Sequence, residues 1–367
     1  MKLTRRSAIA SMATAAIAMP FVKRAKAEDA QVNVYNWADY IGETTIEDFQ
    51  SKTGISVTYD TYSAAEEVSA KMLAGKTGYD VVDMAGLSMD RFIRAGVFQK
   101  LDKAKLPSWG NLDPVILQVM TATDPANEYT MPYMWGSVGF TYNVDMVRER
   151  IPDADLSSLD TLFKPENAAK LADCGISILD TTDDVMMTVL KYLGKDGDTT
   201  NVADYEAVIE AFKPIRQHIK TFDNTNYLNA LPNKEICVAM NWSGDYATAK
   251  ARAEEAGVEL NLEYHVPKTG SPAWVDVMTM PVDAPHPENA HKFMEFLLDP
   301  EVIAKCTNYT NYANANIPSK KFIDPAVLAN PAVFPDAEVM KRLWAPKPLT
   351  EEQDRAMTRA FQTIKSG

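Results

Sequence analysis

At 367 residues the chain exceeds what one hydrophobic core usually serves, so two lobes are expected. Its 46% hydrophobic and 24% charged residues exclude a disordered, collagenous or fibrous protein. The 37 Lys and Arg are outnumbered by 50 Asp and Glu; without the first 27 residues, which hold six basic and no acidic residues, the balance is 31 to 50, or −19, and argues against nucleic acid or anionic lipid as a partner.

In chain order, Thr4-Arg5-Arg6-Ser7 precedes a short apolar run, Ala8 to Met19, and then Ala25-Lys26-Ala27. This reads as a signal peptide cleaved near Ala27, with paired arginines of the twin-arginine kind; the apolar run is too short for a membrane span. Export to the periplasm follows. Strands are predicted at Gln31–Tyr35, Ile55–Tyr62 and Asp80–Met84. Helices alternate with them: one from about Thr44 stopped by Gly54, one over Ala64–Ala74, and one over Met89–Ala95. Further helices are predicted at Pro165–Ala172, Asp183–Leu193, Val202–Thr221 (broken or kinked at Pro214), Asp245–Ala256 and from Pro287 to Leu298, with a largely helical tail from Ala337. Strands lie near 176–179, 236–240 and 259–266. Repeated strand–helix units predict an α/β fold with parallel strands and helices on both faces. No flexible tether separates the lobes, so the chain is expected to cross between them more than once.

Recognisable catalytic and metal chemistry is missing. Four histidines occur, none in a metal-ligand spacing, and no Cys-x-x-Cys, G-x-S-x-G, Walker loop or G-x-G-x-x-G is found. No metal, cofactor or catalytic residue is expected, and the chain reads as a non-enzyme. Three cysteines remain in an exported chain, which is one pair and one leftover. Cys174 and Cys237 flank strand-like runs that neighbouring strands could bring together, and three buried thiols are the alternative.

Aromatic rings stand beside acids just after predicted strands: Asn36-Trp37-Ala38-Asp39-Tyr40, Asn241-Trp242-Ser243-Gly244-Asp245, Trp274-Val275-Asp276 and Leu179-Asp180-Thr181-Thr182-Asp183-Asp184. Ligands of open α/β sheets bind outside the carboxyl ends of the strands, where these loops belong. A ring face attracts an ammonium by about 0.5–2 kcal/mol and stacks on methylenes, while a carboxylate meets the charge. The plainer reading of any one motif is a packed ring beside a helix-capping acid, and Asp245 is the clearest case. Four such loops together point to a pocket for an organic cation.

Several segments carry a family resemblance: Tyr35-Asn36-Trp37-Ala38-Asp39-Tyr40-Ile41, Ala95 through Asp102, Met131-Pro132-Tyr133-Met134-Trp135-Gly136, Tyr192 through Asp196, and Tyr312-Ala313-Asn314-Ala315-Asn316. Over nearly the whole mature chain the sequence resembles the bacterial periplasmic polyamine-binding proteins, the putrescine/spermidine receptors of ABC importers, and most closely their putrescine type. The resemblance implies a two-lobed, hinged periplasmic-binding-protein fold with ligand between the lobes. Lobe 1 would be 28–134 plus about 255–310, and lobe 2 would be 135–254 plus about 311–367. By position it implies ligand contacts at Trp37, Asp39, Tyr40, Ala85, Asp184, Trp242, Asp245, Trp274, Asp276 and Tyr312, and a disulfide between Cys174 and Cys237. It implies a polyamine ligand, delivery to membrane permease subunits, and a monomer. Ala38 and Ala85 stand where the family has serines, and Asp184 where it has glutamate. A receptor for spermidine, a guanidino compound or a glutamylated amine is the neighbouring alternative; a ferric-ion receptor or an exported carboxylate-pair hydrolase lies further off.

Overall fold

The computed structural model describes residues 30–367, so the expected signal peptide lies outside the described residues. Eleven strands occur among them: β1 Gln31–Trp37, β2 Ser56–Tyr62, β3 Val81–Ala85, β4 Met131–Asn143, β5 Ile176–Ile178, β6 Thr221–Phe222, β7 Val238–Trp242, β8 Leu262–His265, β9 Ser271–Thr279, β10 Ala313–Asn314 and β11 Leu343–Trp344. β1 pairs in parallel with both β2 and β3, and helices Thr45–Thr53 and Ala65–Ala74 make the connections. Gly54 ends the first helix at φ 71°, a left-handed conformation that glycine adopts without a Cβ clash.

β4 turns one sheet into two lobes. Up to Ser137 it lies between β9 and β10; from Val138 it lies between β7 and β8. Beyond β9 come β3, β1 and β2, and beyond β7 come β5 and β6. The strand left little trace in the sequence because twelve of its thirteen residues are buried. Burial on both faces removes the apolar–polar alternation, and Pro132, Gly136 and Gly139 dilute what pattern remains.

Each lobe has its own core. In the first, Val32, Val34, Phe49 and Phe293 pack on one face of the sheet, and Tyr35, Val68, Phe92 and Val277 on the other. In the second, Phe140, Leu162, Ile178, Val189 and Phe361 pack together. The packing moves two expected lobe boundaries. Residues 262–265 form β8 on the second-lobe half of β4, so the return to the first lobe falls between His265 and Ser271, not near 255. Residues 313–316 pair with Trp135, Met134 and Leu112, so the first lobe continues past 310. The C-terminal helix Glu351–Ser366 packs on the second lobe.

The predicted helix Val202–Thr221 ends early. Helix Asp204–Phe212 stops before Pro214, and a 3₁₀ turn, Arg216–His218, leads into β6. The tail holds one helical turn, Ala337–Met340, then β11 before its main helix. Cys174 and Cys237 are disulfide-bonded, with Cα atoms 5.4 Å apart beside the paired strands β5 and β7; Cys306 is free and buried. Among the described residues no helix is long and apolar enough to cross a membrane.

Candidate ligand-binding site

β1, β3 and β7 end facing the junction of the lobes and deliver Trp37, Ala85 and Trp242 there. β9 runs the other way and brings Trp274 and Asp276 to the same place, since residues two apart share one side of a strand. Helix Ser243–Glu255 begins where β7 ends, and Asp245 sits in its first turn. Asp245 is not the cap of that helix: Trp242 occupies the cap position, and the carboxylate points elsewhere.

Rings from both lobes meet. Trp37 lies 4.5 Å from Tyr62 and 6.2 Å from Trp242 of the opposite lobe, centroid to centroid. A second run passes from Tyr133 to Tyr40 (5.6 Å), Tyr312 (5.4 Å) and Trp274 (5.2 Å), all nearly edge to face. Two glycines make this closeness possible. A Cβ at Gly136 would come within 2.5 Å of the Trp274 ring, and one at Gly244 within 2.7 Å of the Tyr312 ring. The indole N–H groups of Trp37 and Trp274 are buried without a partner among the described residues.

The acids are oriented by these same rings. Tyr40 donates its hydroxyl to Asp276 Oδ2 at 2.9 Å, and Tyr312 to Asp245 Oδ1 at 2.6 Å. Tyr227 donates to the other oxygen of Asp245. The Trp242 indole donates to Asp184 Oδ2 at 2.8 Å. Among the described residues none of these three acids forms an ion pair. Burial therefore dominates, pushing Asp184 and Asp276 up to about 7 and Asp245 to about 6, against the opposing pull of their hydrogen bonds. The junction of the lobes thus gathers three buried acids with no ion-paired cation among the described residues.

Of the ten residues expected at the site, nine line the junction or the pocket beside it; Ala85 and Asp184 share that pocket with Trp274 and Asp183. Asp39 does not enter. It takes a left-handed conformation (φ 57°), its side chain is 71% exposed, and it pairs with Arg252 of the second lobe at 3.6 Å across the rim. Sequence reasoning missed Tyr227, which orients Asp245; Tyr62, which packs on Trp37; and Asp83, a buried acid beside Asp276. Asp83 left a signal, since an acid interrupts an otherwise apolar strand, Val81-Val82-Asp83-Met84.

Two α/β lobes joined by repeated crossings, with aromatic rings and buried acids meeting at their junction, define a solute-binding protein of the periplasmic-binding-protein fold. The chain belongs to the bacterial extracellular solute-binding protein family, whose profile matches residues 44–335. It is 42% identical over 342 residues to the putrescine-binding periplasmic protein SpuD of Pseudomonas aeruginosa, and 41% identical over 343 residues to the putrescine-binding periplasmic protein PotF of Escherichia coli; in both cases 93% of each chain is covered. A solved structure described as a spermidine/putrescine ABC transporter from Listeria monocytogenes superimposes with a TM-score of 0.82 at 28% identity, covering 92% of this chain and 99% of that one. These relatives are transport proteins, not enzymes.

Proposed function

We propose that the chain is a periplasmic receptor that captures a linear polyamine, putrescine foremost, and delivers it to the permease subunits of an ABC importer. One observation carries the reading: Trp37, Tyr40, Trp274 and Asp276 converge with Trp242, Asp184 and Asp245 of the other lobe, and among the described residues no cation pairs with these acids. The putrescine-binding relatives at 41–42% identity support it. Rings from both lobes sandwich the methylenes, and acids take the ammoniums. A ligand of the wrong length leaves a buried charge unpaired, a penalty of about 3–5 kcal/mol. That outweighs the roughly 0.8 kcal/mol gained per extra buried methylene, so the spacing of charge sets selectivity. Because the walls come from two lobes, ligand favours the closed form by differential contact, and the chain acts as a monomer that closes, docks and releases. Export by the N-terminal signal, cleaved near Ala27, places it in the periplasm.

A thermal-shift and calorimetric comparison of putrescine, cadaverine, spermidine, agmatine and amino acids tests the reading. Putrescine should raise the melting temperature most. No shift with any diamine or polyamine would overturn it.

A further inference from the structure

Asp83 has no task in that account. It lies on β3, is fully inaccessible to solvent, and belongs to the face of the sheet that carries the site. In the antiparallel pairing of β3 with β9, Ala85 stands opposite Asp276 and Asp83 opposite Met278. Asp83 and Asp276 are thus diagonal neighbours on one face, close enough for the charge of one to bear on the other. Asp83 Oδ1 accepts a long bond from Tyr62 Oη at 3.4 Å, while Oδ2 is buried with no donor among the described residues.

The titratable groups facing Asp83 are all acidic: Asp276 on β9, Tyr62 and Tyr59 on β2, Tyr40 in the turn after β1, and Tyr133 on β4. Among the described residues no lysine, arginine or histidine pairs with Asp83. Two adjacent carboxylates in so dry a place do not both ionise, so one keeps its proton. The two are unequal. Asp276 keeps 9% of its surface exposed and has Tyr40 to support its charge, whereas Asp83 is fully buried and, among the described residues, has no short donor. Burial and the Asp276 charge accordingly hold Asp83 well above the usual carboxylate range.

We infer that Asp83 is a positioning residue that stays a neutral acid and donates its carboxyl proton to Asp276, so that this end of the slot offers an incoming cation one oriented negative charge in place of two repelling ones. The identity of the cation rests on the polyamine reading; the placement of the proton rests only on the pair.

Two measurements separate these dependences. First, carbon-13 carboxyl shifts of selectively labelled aspartate are followed in the ligand-free mature chain, with the Asp83 signal assigned by its loss in Asp83→Asn. That signal should stay at the protonated position through neutral pH, and an ionised Asp83 at pH 7 would overturn the inference whatever the ligand proves to be. Second, putrescine is titrated calorimetrically at several pH values. Asp83→Asn keeps the shape and an N–H donor, and should bind within about threefold of the unmodified chain, with the same pH profile. Asp83→Val keeps neither, and should weaken binding roughly tenfold while moving its pH midpoint upward. Equal loss in both variants would make Asp83 an ionised ligand of the cation. No loss in Val would leave it without a role. If the unmodified chain does not bind putrescine, the receptor reading fails, and the carboxyl shifts still decide the state of Asp83.

Discussion

Trp37-Ala38-Asp39 and Trp274-Val275-Asp276 share one spacing and meet opposite fates. In the second, all three residues lie inside β9, so the extended backbone sends ring and acid to the same side, with Asp276 buried and Trp274 half-buried at the junction of the lobes. In the first, β1 ends at Trp37 and the chain turns; the left-handed backbone at Asp39 throws its carboxylate out to the rim. One acid is dry and lacks a cation; the other is wet and already has Arg252. The shared ring-x-acid spacing thus brings ring and acid together only where the strand continues through both.

The largest effects are expected at the dry acids. Asp276→Ala and Asp245→Ala should each weaken putrescine binding by 100-fold or more, because an ammonium desolvated without its carboxylate costs about 3–5 kcal/mol. Calorimetry with circular dichroism as a folding control reads this out, and a loss below tenfold in both would place the cation elsewhere.

The next effect is a dependence on pH. Asp184, Asp245 and Asp276 titrate near 6 to 7 in the ligand-free fold, against about 3.9 when unfolded. Between those values the folded chain holds more protons than the unfolded one, so ligand-free stability falls as pH rises from about 4 to about 7. Acids held low by partners, such as Asp155 at about 2 beside Lys268, act in the opposite sense but only below about pH 4. Putrescine requires the slot acids ionised, so its affinity should rise over the interval in which the empty protein loses stability, by up to about tenfold per pH unit for each proton displaced. Melting curves with and without putrescine from about pH 5 to 8 should diverge; parallel curves would mean that the slot acids are already ionised.

Trp242→Phe sharpens the contrast on the second lobe. It keeps an aromatic wall and removes the indole N–H on Asp184, so affinity should fall several-fold, up to roughly tenfold, with an unchanged circular dichroism spectrum. An undiminished affinity would assign Asp184 to the neighbouring pocket and not to the ligand.

Much of the α/β frame was legible in the sequence because β1, β2 and β3 are short, bounded by glycine or turn residues, and alternate with amphipathic helices. β4 was hidden for the opposite reason, being buried on both faces and carrying glycines that exist to admit Trp274 and Tyr264. At the site, rings and acids stood in recognisable clusters. What spacing could not convey was direction. Asp245 looked like a helix cap because it opens a helix, and only the arrival of Tyr312 and Tyr227 from distant segments shows why its oxygens face the slot. In the sequence Asp83 is simply part of a strand, since the neighbour that gives it meaning lies nearly two hundred residues away on β9.

The smallest effect belongs to the rim. Asp39 and Arg252 form an exposed pair at 3.6 Å, and such pairs contribute about 0–1 kcal/mol, screened by salt. Asp39→Asn should therefore change putrescine affinity by less than about threefold at physiological ionic strength, and the difference should shrink further at about 1 M salt. Because the pair joins the two lobes, the change should fall on the rate of release more than on capture, which stopped-flow measurement of putrescine dissociation resolves. If Asp39→Asn instead matched Asp276→Ala, the carboxylate would have to swing off Arg252 and into the slot when ligand arrives, and the two Trp-x-Asp motifs would then serve the same end by different routes.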